Sequence, residues 1–329
     1  MSTATQDGPR PLLNASAKTC VWIVSCTNSQ YLQLSALRDE LPMSASVVLL
    51  SERAESPAPD VTVVQVQPGT KLAKIRTWVR QTAPLGLVCI CDPDMTLDRD
   101  AASVVIRNAI DTANQGHAVL AYGRIRSDGG SLLRCLTSFD KDWSHRVIRP
   151  LLWALGVGAS IPGQFMVVSA SLLSAIDPSV DSYLDDLYLG LFTRSYPGAV
   201  ICRESLTVGS EQPREEWIGL VAQRLRWMKG FMALAWHMKR SPSAALRLGA
   251  HFVAYHVIPI VALTSLLLLC IRHPVLGLAA ASLFAITTSA LSGQNPAVGL
   301  AYWLTFPLLH ALALLAWWLP MPSTFLTRR

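Results

Sequence analysis

The chain has 329 residues, of which 51% are hydrophobic and only 15% are charged; its mean hydropathy is +0.35 and its net charge is +6. Soluble domains carry roughly 25% charged residues, so this composition excludes an ordinary, wholly soluble protein. The basic excess does not indicate nucleic-acid binding, because no basic stripe with interleaved aromatic residues precedes residue 247.

Short apolar runs and helical patterns alternate over the first half of the chain. The apolar runs predict strands at 21–26, 46–50, 61–66 and 87–92, and the helical patterns predict helices at 31–41, 71–82 and 99–115. Later elements are predicted as strands near 117–126, 163–169 and 199–207 and helices near 132–155, 184–194 and 215–239. This alternation indicates βαβ units and an α/β fold with a mainly parallel, doubly wound sheet.

The last part of the chain has the composition of a membrane domain. All 22 acidic residues precede residue 247, and apolar stretches follow at about 250–271, 274–291 and 297–319. A membrane span needs about 20 apolar residues, so the first and third stretches qualify. The second stretch is marginal, so the chain has either two or three predicted spans. We therefore predict a disordered N-terminus at 1–18, a soluble domain at 19–246 and a membrane domain at 247–329.

The basic residues favour one orientation in the membrane. The N-terminus lacks a basic region followed by a long apolar one, so no signal peptide is predicted. Lys229, Lys239, Arg240 and Arg247 precede the first apolar stretch, and the positive-inside rule then predicts a multi-pass protein of the cell membrane with a cytoplasmic soluble domain. Three spans would put the terminal Arg328-Arg329 pair outside, which the same rule disfavours.

Two acidic pairs lie where an α/β sheet binds ligands. Asp92 and Asp94 follow the apolar strand at 87–92, and ligands bind at the carboxyl ends of such strands. Two neighbouring carboxylates repel each other unless a cation or a proton lies between them. Asp185 and Asp186 open the predicted helix at 184–194. Each pair also has an ordinary structural explanation, in a turn or at a helix N-terminus.

A third cluster, QRLRW, lies on the predicted helix before the membrane domain. Gln223, Arg226 and Trp227 are spaced so that they share one helix face. Arg224 and Lys229 are expected on a solvated or headgroup-facing surface. Trp227 has an alternative role as an interfacial membrane anchor.

The order D-x-D, D-D and Q-x-x-R-W ahead of membrane helices resembles the membrane-bound family-2 glycosyltransferases. This group includes cellulose, chitin and hyaluronan synthases and ceramide glucosyltransferases. The resemblance covers about residues 21–230 and implies a GT-A domain, which is the Rossmann-like fold of nucleotide-diphospho-sugar transferases. It also implies a Mg²⁺ or Mn²⁺ cofactor and a nucleotide sugar as donor, with UDP-sugars favoured.

The resemblance assigns roles to individual residues. It makes Asp186 the base that takes the proton from the acceptor hydroxyl, as an inverting transfer requires. The metal would be held by Asp94 with Asp92 beside it, and a divalent cation neutralises a diphosphate leaving group. The remaining donor-binding residues are Asn28, Gln223 and Arg226, and the acceptor-binding residues are Gly163, Gln164, Phe165, Asp185 and Trp227.

Two departures from the family pattern concern the nucleotide. The family usually has P-x-x-N-E after its first strand, and here Asn28 is present but the acid is missing. Ser51-Glu52 replaces the acidic pair that contacts the base. The base selectivity therefore stays open.

The small number of predicted membrane spans indicates which class of acceptor the protein would use. Three spans at most make a poor tunnel for a growing polysaccharide, which favours a lipid or lipid-linked acceptor at the membrane surface. A processive synthase that works as an oligomer or with a partner subunit is the alternative. A non-catalytic membrane scaffold that binds a nucleotide sugar is the rival from another class.

Overall fold

The computed structural model describes residues 20–25, 31–41, 44–52, 61–92, 94–127, 130–177, 179–180, 182–211 and 216–320. The predicted disorder at 1–18 and the predicted donor residue Asn28 lie outside the described residues.

An eight-stranded sheet in the order β3-β2-β1-β4-β7-β6-β8-β5 forms the centre of the described soluble part. The strands are β1 Val21–Ser25, β2 Ala45–Ser51, β3 Val61–Gln65, β4 Leu87–Cys91, β5 Met95–Leu97, β6 Ala118–Ser127, β7 Phe165–Ser169 and β8 Ala199–Glu211.

The strand directions confirm the predicted βαβ half and correct the rest. Strands β3, β2, β1 and β4 pair in parallel, as do β6 and β8. However, β7 is antiparallel to β4 and to β6, and β5 is antiparallel to β8. The helices that follow β6 bring the chain back to the end of the sheet at which β6 ends. Strand β7 therefore runs antiparallel to β6. The sheet is therefore mixed.

Helices cover the sheet and continue into an apolar C-terminal bundle. The first eight are α1 Tyr31–Asp39, α2 Lys71–Thr82, α3 Arg99–Asn114, α4 Leu132–Trp143, α5 Arg149–Ala154, α6 Ala170–Ser174, α7 Asp185–Ser195 and α8 Trp217–Met238. The last four are α9 Pro242–Phe252, α10 Ile258–Arg272, α11 Pro274–Ser292 and α12 Pro296–Ala316. Single π-helical turns, Ser144–Ile148 and Val253–Val257, join α4 to α5 and α9 to α10.

Strand β4 shows how the sheet is buried on both faces. Its alternate residues enter different cores: Val88 and Ile90 pack with α2, α7 and α8, whereas Cys89 and Cys91 pack with α1 and α3. A strand buried on both faces has a continuous apolar sequence, which is why LVCIC has no polar position. The polar side chains of this chain segment start only where the strand ends, at Asp92.

Three C-terminal helices are long and apolar enough to cross a membrane. They are the continuous helix Pro242–Arg272, then Pro274–Ser292 and Pro296–Ala316. The first begins about a helical turn or two before the predicted stretch at 250–271. Large apolar side chains such as Ile271, Val275 and Leu315 point away from the protein, which is the pattern of a lipid-facing surface.

The C-terminal helices pack directly on the soluble part. Tyr302, Trp303 and Phe306 of α12 form one buried cluster with Leu136 and Phe139 of α4. Hydrogen bonds extend this contact, since the amide of Gln294 donates to Asp142 and to Ser138. The apolar C-terminal helices and the α/β part therefore share a core.

Candidate functional site

A lysine joins the first two acidic clusters at the carboxyl edge of the sheet. Lys71 begins α2, whose N-terminus is capped by the Thr70 side chain accepting from the Ala73 N–H at 3.2 Å. The Lys71 ammonium lies 2.9 Å from Asp92 Oδ1 and 2.9 Å from Asp185 Oδ2. It also donates to the carbonyl oxygen of Gly163 at 2.7 Å. One cation thus links the end of β4, the start of α7 and the segment before β7.

The electrostatics of this cluster keep Lys71 charged. Burial lowers the pKa of its ammonium, but the charges of Asp185 and Asp92 outweigh burial and raise that pKa above its ordinary value. The pKa of Asp185 is raised because burial and the charge of Asp92 exceed the opposing effect of Lys71.

Asp186 lies beside this cluster and has a perturbed pKa. Its Oδ1 accepts from the Leu187 N–H at 2.8 Å. Burial, followed by the charge of Asp185, raises the pKa of Asp186 to about 6. A carboxylate with such a pKa can accept a proton near neutral pH and release it again.

Gly163 makes room for Asp186. A Cβ atom at position 163 would lie 3.0 Å from Asp186 Cβ and 3.4 Å from Asp186 Oδ2, so a larger residue would displace the carboxylate. The next residue, Gln164, accepts from the Asp92 N–H through its carbonyl oxygen at 2.7 Å. The predicted residues Gly163 and Gln164 therefore lie next to both acidic pairs.

A pocket with an empty volume of about 820 Å³, including its open mouth, extends from Asp186 towards the C-terminal helices. Gln164 and Asp186 line one end, and Trp227 of α8 lines the wall. His256 and His310, from the apolar helices, line the far side, with their Nδ1 atoms 3.0 Å apart. The pocket thus connects the sheet edge to the membrane-type helices.

Phe165 does not line this pocket. It is fully buried in β7 opposite Cys91 and packs in the core between the sheet and α3. This corrects its predicted acceptor contact, because successive strand residues point to opposite faces and Gln164 takes the position that faces the site.

The Q-x-x-R-W segment is arranged differently from the prediction. Arg224, expected at the surface, is buried at 7% exposure, and its Nη2 is 2.6 Å from Asp140 Oδ2. Its guanidinium also lies over the rings of Trp227 and Phe306, at 4.6 and 5.2 Å from their centroids. Gln223 and Arg226 are only partly buried and are not among the residues that line the pocket.

Helix packing explains this difference. The face of α8 that carries Leu220 and Arg224 packs against α12. Gln223 and Arg226 each precede a residue of the Arg224 and Trp227 pair, so they are rotated by about 100° around the helix axis from that face. The tertiary contact with α12, which sequence spacing alone does not reveal, decides which arginine is buried. Lys229 also differs from expectation, since its ammonium donates to the Leu319 carbonyl oxygen at 2.8 Å.

Further charged residues complete the site without having been predicted. Lys141 and Glu211 form an ion pair, and Gln164 Nε2 donates to Glu211 Oε2 at 2.7 Å. Burial lowers the pKa of Lys141 despite the charge of Glu211. Lys71 was predicted as the start of a helix and was not among the predicted site residues. Its position after a strand at the sheet edge is the signal that could have placed it beside Asp92.

The carboxylates offer an incomplete set of metal ligands. Within the described ranges, no group of three or more His, Cys, Asp or Glu side chains is arranged to hold a metal ion. Asp92 and Asp94 are hard oxygen donors one residue apart, and Mg²⁺ is commonly held by one or two carboxylates together with substrate phosphates. These two residues therefore fit a Mg²⁺ or Mn²⁺ ion whose other ligands come from a bound diphosphate.

Comparison with known proteins identifies the fold. No family model and no curated protein matches the sequence. Among solved structures, the mannosyltransferase PcManGT from Pyrobaculum calidifontis, in complex with GDP-Man and Mn²⁺, matches with a TM-score of 0.50 at 15% identity. The match covers 94% of this chain and 89% of that one, so it extends into the C-terminal helices.

A second solved structure is more distant. Glucosyl-3-phosphoglycerate synthase from Mycobacterium tuberculosis, in complex with Mn²⁺, UDP-glucose and phosphoglyceric acid, matches with a TM-score of 0.45 at 17% identity, over 73% of this chain and 86% of that one. The match to PcManGT shows that the mixed sheet with its C-terminal apolar helices has the GT-A fold of nucleotide-sugar glycosyltransferases, as the sequence resemblance implied.

Proposed function

We propose that this protein is a membrane-bound, inverting glycosyltransferase that moves a sugar from a nucleotide-diphosphate sugar to a lipid or lipid-linked acceptor. The observation that carries the proposal is the position of Asp186. This half-buried carboxylate, with a pKa of about 6, lies between the Lys71 cluster at the sheet edge and a pocket whose far wall belongs to membrane-type helices.

The donor would bind at the sheet edge. Asp92 and Asp94 would hold Mg²⁺ or Mn²⁺, which would neutralise the charge that develops on the diphosphate as it leaves. Lys71 is a second cation at this edge, and it holds Asp92 and Asp185 together through two ion pairs. UDP-sugars remain the favoured donors from the sequence resemblance, and GDP-sugars belong in the same test because PcManGT was solved with GDP-Man.

The acceptor would approach from the pocket. Its hydroxyl oxygen forms the new bond to the anomeric carbon, the bond from that carbon to the diphosphate oxygen breaks, and the hydroxyl proton passes to Asp186. Attack from the side opposite the leaving group inverts the anomeric configuration. Trp227 and Phe231 provide apolar surface for the acceptor, and the membrane-type helices support a lipid as its carrier.

The first test measures release of nucleoside diphosphate by the full-length protein in detergent. UDP- and GDP-sugars are supplied with Mn²⁺ and a lipid extract, and Asp94→Asn and Asp186→Asn are compared with Asp100→Asn, a control at an exposed position on α3. We expect one donor to be turned over, with at least about a hundredfold loss in both site variants and none in the control. Donor binding without turnover in the wild-type protein would instead support the scaffold.

A further inference from the structure

Arg149 is a cation on the pocket wall that has no acidic partner in the described residues. It is the first residue of α5 and lines the pocket together with Asp186. Its Nη1 lies 3.4 Å from both ring nitrogens of His145, which is a contact with a neutral group because burial and the charge of Arg149 hold the pKa of His145 well below 6.5. Its Nε is buried and has no hydrogen-bond partner.

The other cations of the pocket are already neutralised. Lys141 pairs with Glu211, and Arg224 pairs with Asp140. Among the described ion pairs none joins Arg149 to Asp186, although the charge of Arg149 acts on Asp186 and lowers its pKa somewhat. Arg149 is half-buried and its Nε is out of contact with solvent, and a cation in such a place without a counter-charge is unfavourable, so the wall at Arg149 is complementary to an anion.

The geometry also indicates where this anion comes from. The pocket is closed on the far side by residues of the candidate membrane spans, such as His251 and Tyr255, and by the aromatic side chains of α8. This wall of aromatic rings is built largely by candidate membrane spans, so an anion carried on a lipid could reach it from the bilayer. A phosphate attached to lipid chains would match both the cation and this position.

We propose that the acceptor is a lipid that carries a phosphate group close to its reactive hydroxyl, as phosphatidylglycerol does, and that Arg149 binds this phosphate. The inference rests on the proposed function and names its acceptor class. The hydroxyl faces Asp186 while the phosphate contacts Arg149, so the two residues hold the headgroup at both ends. The phosphodiester itself is unchanged by the transfer.

The kinetic test compares acceptors and variants with the full-length protein in neutral-lipid nanodiscs. Phosphatidylglycerol, diacylglycerol and soluble glycerol 3-phosphate serve as acceptors, and the variants are Arg149→Gln, Arg149→Lys and the control Arg146→Gln at a half-exposed site. We expect phosphatidylglycerol to be preferred. Arg149→Gln should raise its KM about tenfold or more without changing the donor KM, and Arg149→Lys should recover part of the loss.

Specific results would overturn the inference. If the wild-type protein used diacylglycerol as well as phosphatidylglycerol, the acceptor would not need a phosphate group. If it used glycerol 3-phosphate equally well, the acceptor would not need lipid chains. A rise in the donor KM of Arg149→Gln, with an unchanged acceptor KM, would assign Arg149 to the nucleotide sugar.

A binding measurement separates this inference from the proposed function. Native mass spectrometry of the full-length protein, with limiting phosphatidylglycerol and no donor, needs no turnover. We expect the wild type and Arg146→Gln to retain the phospholipid and Arg149→Gln to lose it. Equal retention of the phospholipid by all three proteins would refute binding at Arg149, even if sugar transfer is observed. Retention that depends on Arg149, without any sugar transfer, would refute only the proposed glycosyltransferase activity.

Discussion

At the scale of single residues, the site depends on two neighbouring aspartates with different partners. Asp185 forms an ion pair with the Lys71 ammonium. The described hydrogen bond of the Asp186 carboxylate is instead with a backbone group, the Leu187 N–H. Burial raises the pKa of both; the charge of Asp92 adds to this effect at Asp185, and the charge of Asp185 adds to it at Asp186. Pairs of carboxyl groups in unequal environments are a common way to obtain one base that works near neutral pH.

The proposed role of Asp186 as the base predicts a pH dependence of transfer. Because that pKa is about 6 in the folded protein, Asp186 becomes protonated as the pH falls through this value and can no longer accept the acceptor's proton. We expect kcat/KM to decline about tenfold for each pH unit below about 6. A rate profile with saturating donor measures this decline, and a rate independent of pH between neutral and about 5 would contradict the assignment of Asp186 as base.

The same raised pKa predicts a change in stability. A carboxylate whose folded pKa exceeds its unfolded value of 3.8 destabilises the fold once it is ionised, so the penalty is absent at low pH and fully present above about 6. Asp186→Asn should therefore stabilise the protein at neutral pH, by about 3 kcal/mol, while it abolishes transfer. Thermal unfolding at neutral pH and at low pH measures the effect, which should vanish at low pH.

At the scale of elements, α4, α8 and α12 meet at a buried polar junction. Asp140 of α4 accepts from Arg224 of α8 at 2.6 Å and from the Tyr302 hydroxyl of α12 at 2.8 Å. Burial tends to raise the pKa of Asp140, but the charge of Arg224 and these two hydrogen bonds outweigh it and lower the pKa. Three helices are thus held in register around one ionised carboxylate.

Removing different members of this junction should have unequal effects. Asp140→Asn leaves the Arg224 charge buried without a counter-ion, and we expect a loss of about 3 kcal/mol of stability. Tyr302→Phe removes one hydrogen bond and leaves the ion pair intact, for a loss of about 1 kcal/mol. Thermal unfolding in detergent ranks the two variants; equal losses would show that the ion pair contributes no more than the hydroxyl.

The sequence predicted the elements more completely than their contacts. Local patterns place α2 at residues 71–82 and the strands of the parallel half, because apolar spacing within one element is sufficient for that purpose. They do not reveal the reversed direction of β7 or the burial of Arg224, since both depend on packing against elements distant in sequence. The positions of Asp92, Asp185 and Asp186 side by side followed from the family resemblance, whereas Lys71, Arg149 and Asp140 emerged only from the structure.

At the scale of the whole molecule, the apolar C-terminal helices and the α/β part form one folded unit. Leu136 and Phe139 of α4 and Leu220 of α8 are buried by aromatic residues of α12. The pocket needs both parts as well, because His251, His256 and His310 complete the wall opposite Asp186. The α/β part alone would expose an apolar face and only part of the pocket lining.

A truncated chain that ends at Arg240 tests this unity. It lacks α9 to α12, so we expect it to aggregate, to bind a hydrophobic dye and to lose transfer to lipid acceptors, even when these are supplied in micelles. The matched control is a chain shortened only after Pro320, which keeps every C-terminal helix and should behave as the full-length protein does. Size-exclusion chromatography and the transfer assay measure both. A monomeric, fully active truncated protein would show that the helices act only as a tether, and that the exposed faces of α4 and α8 tolerate water.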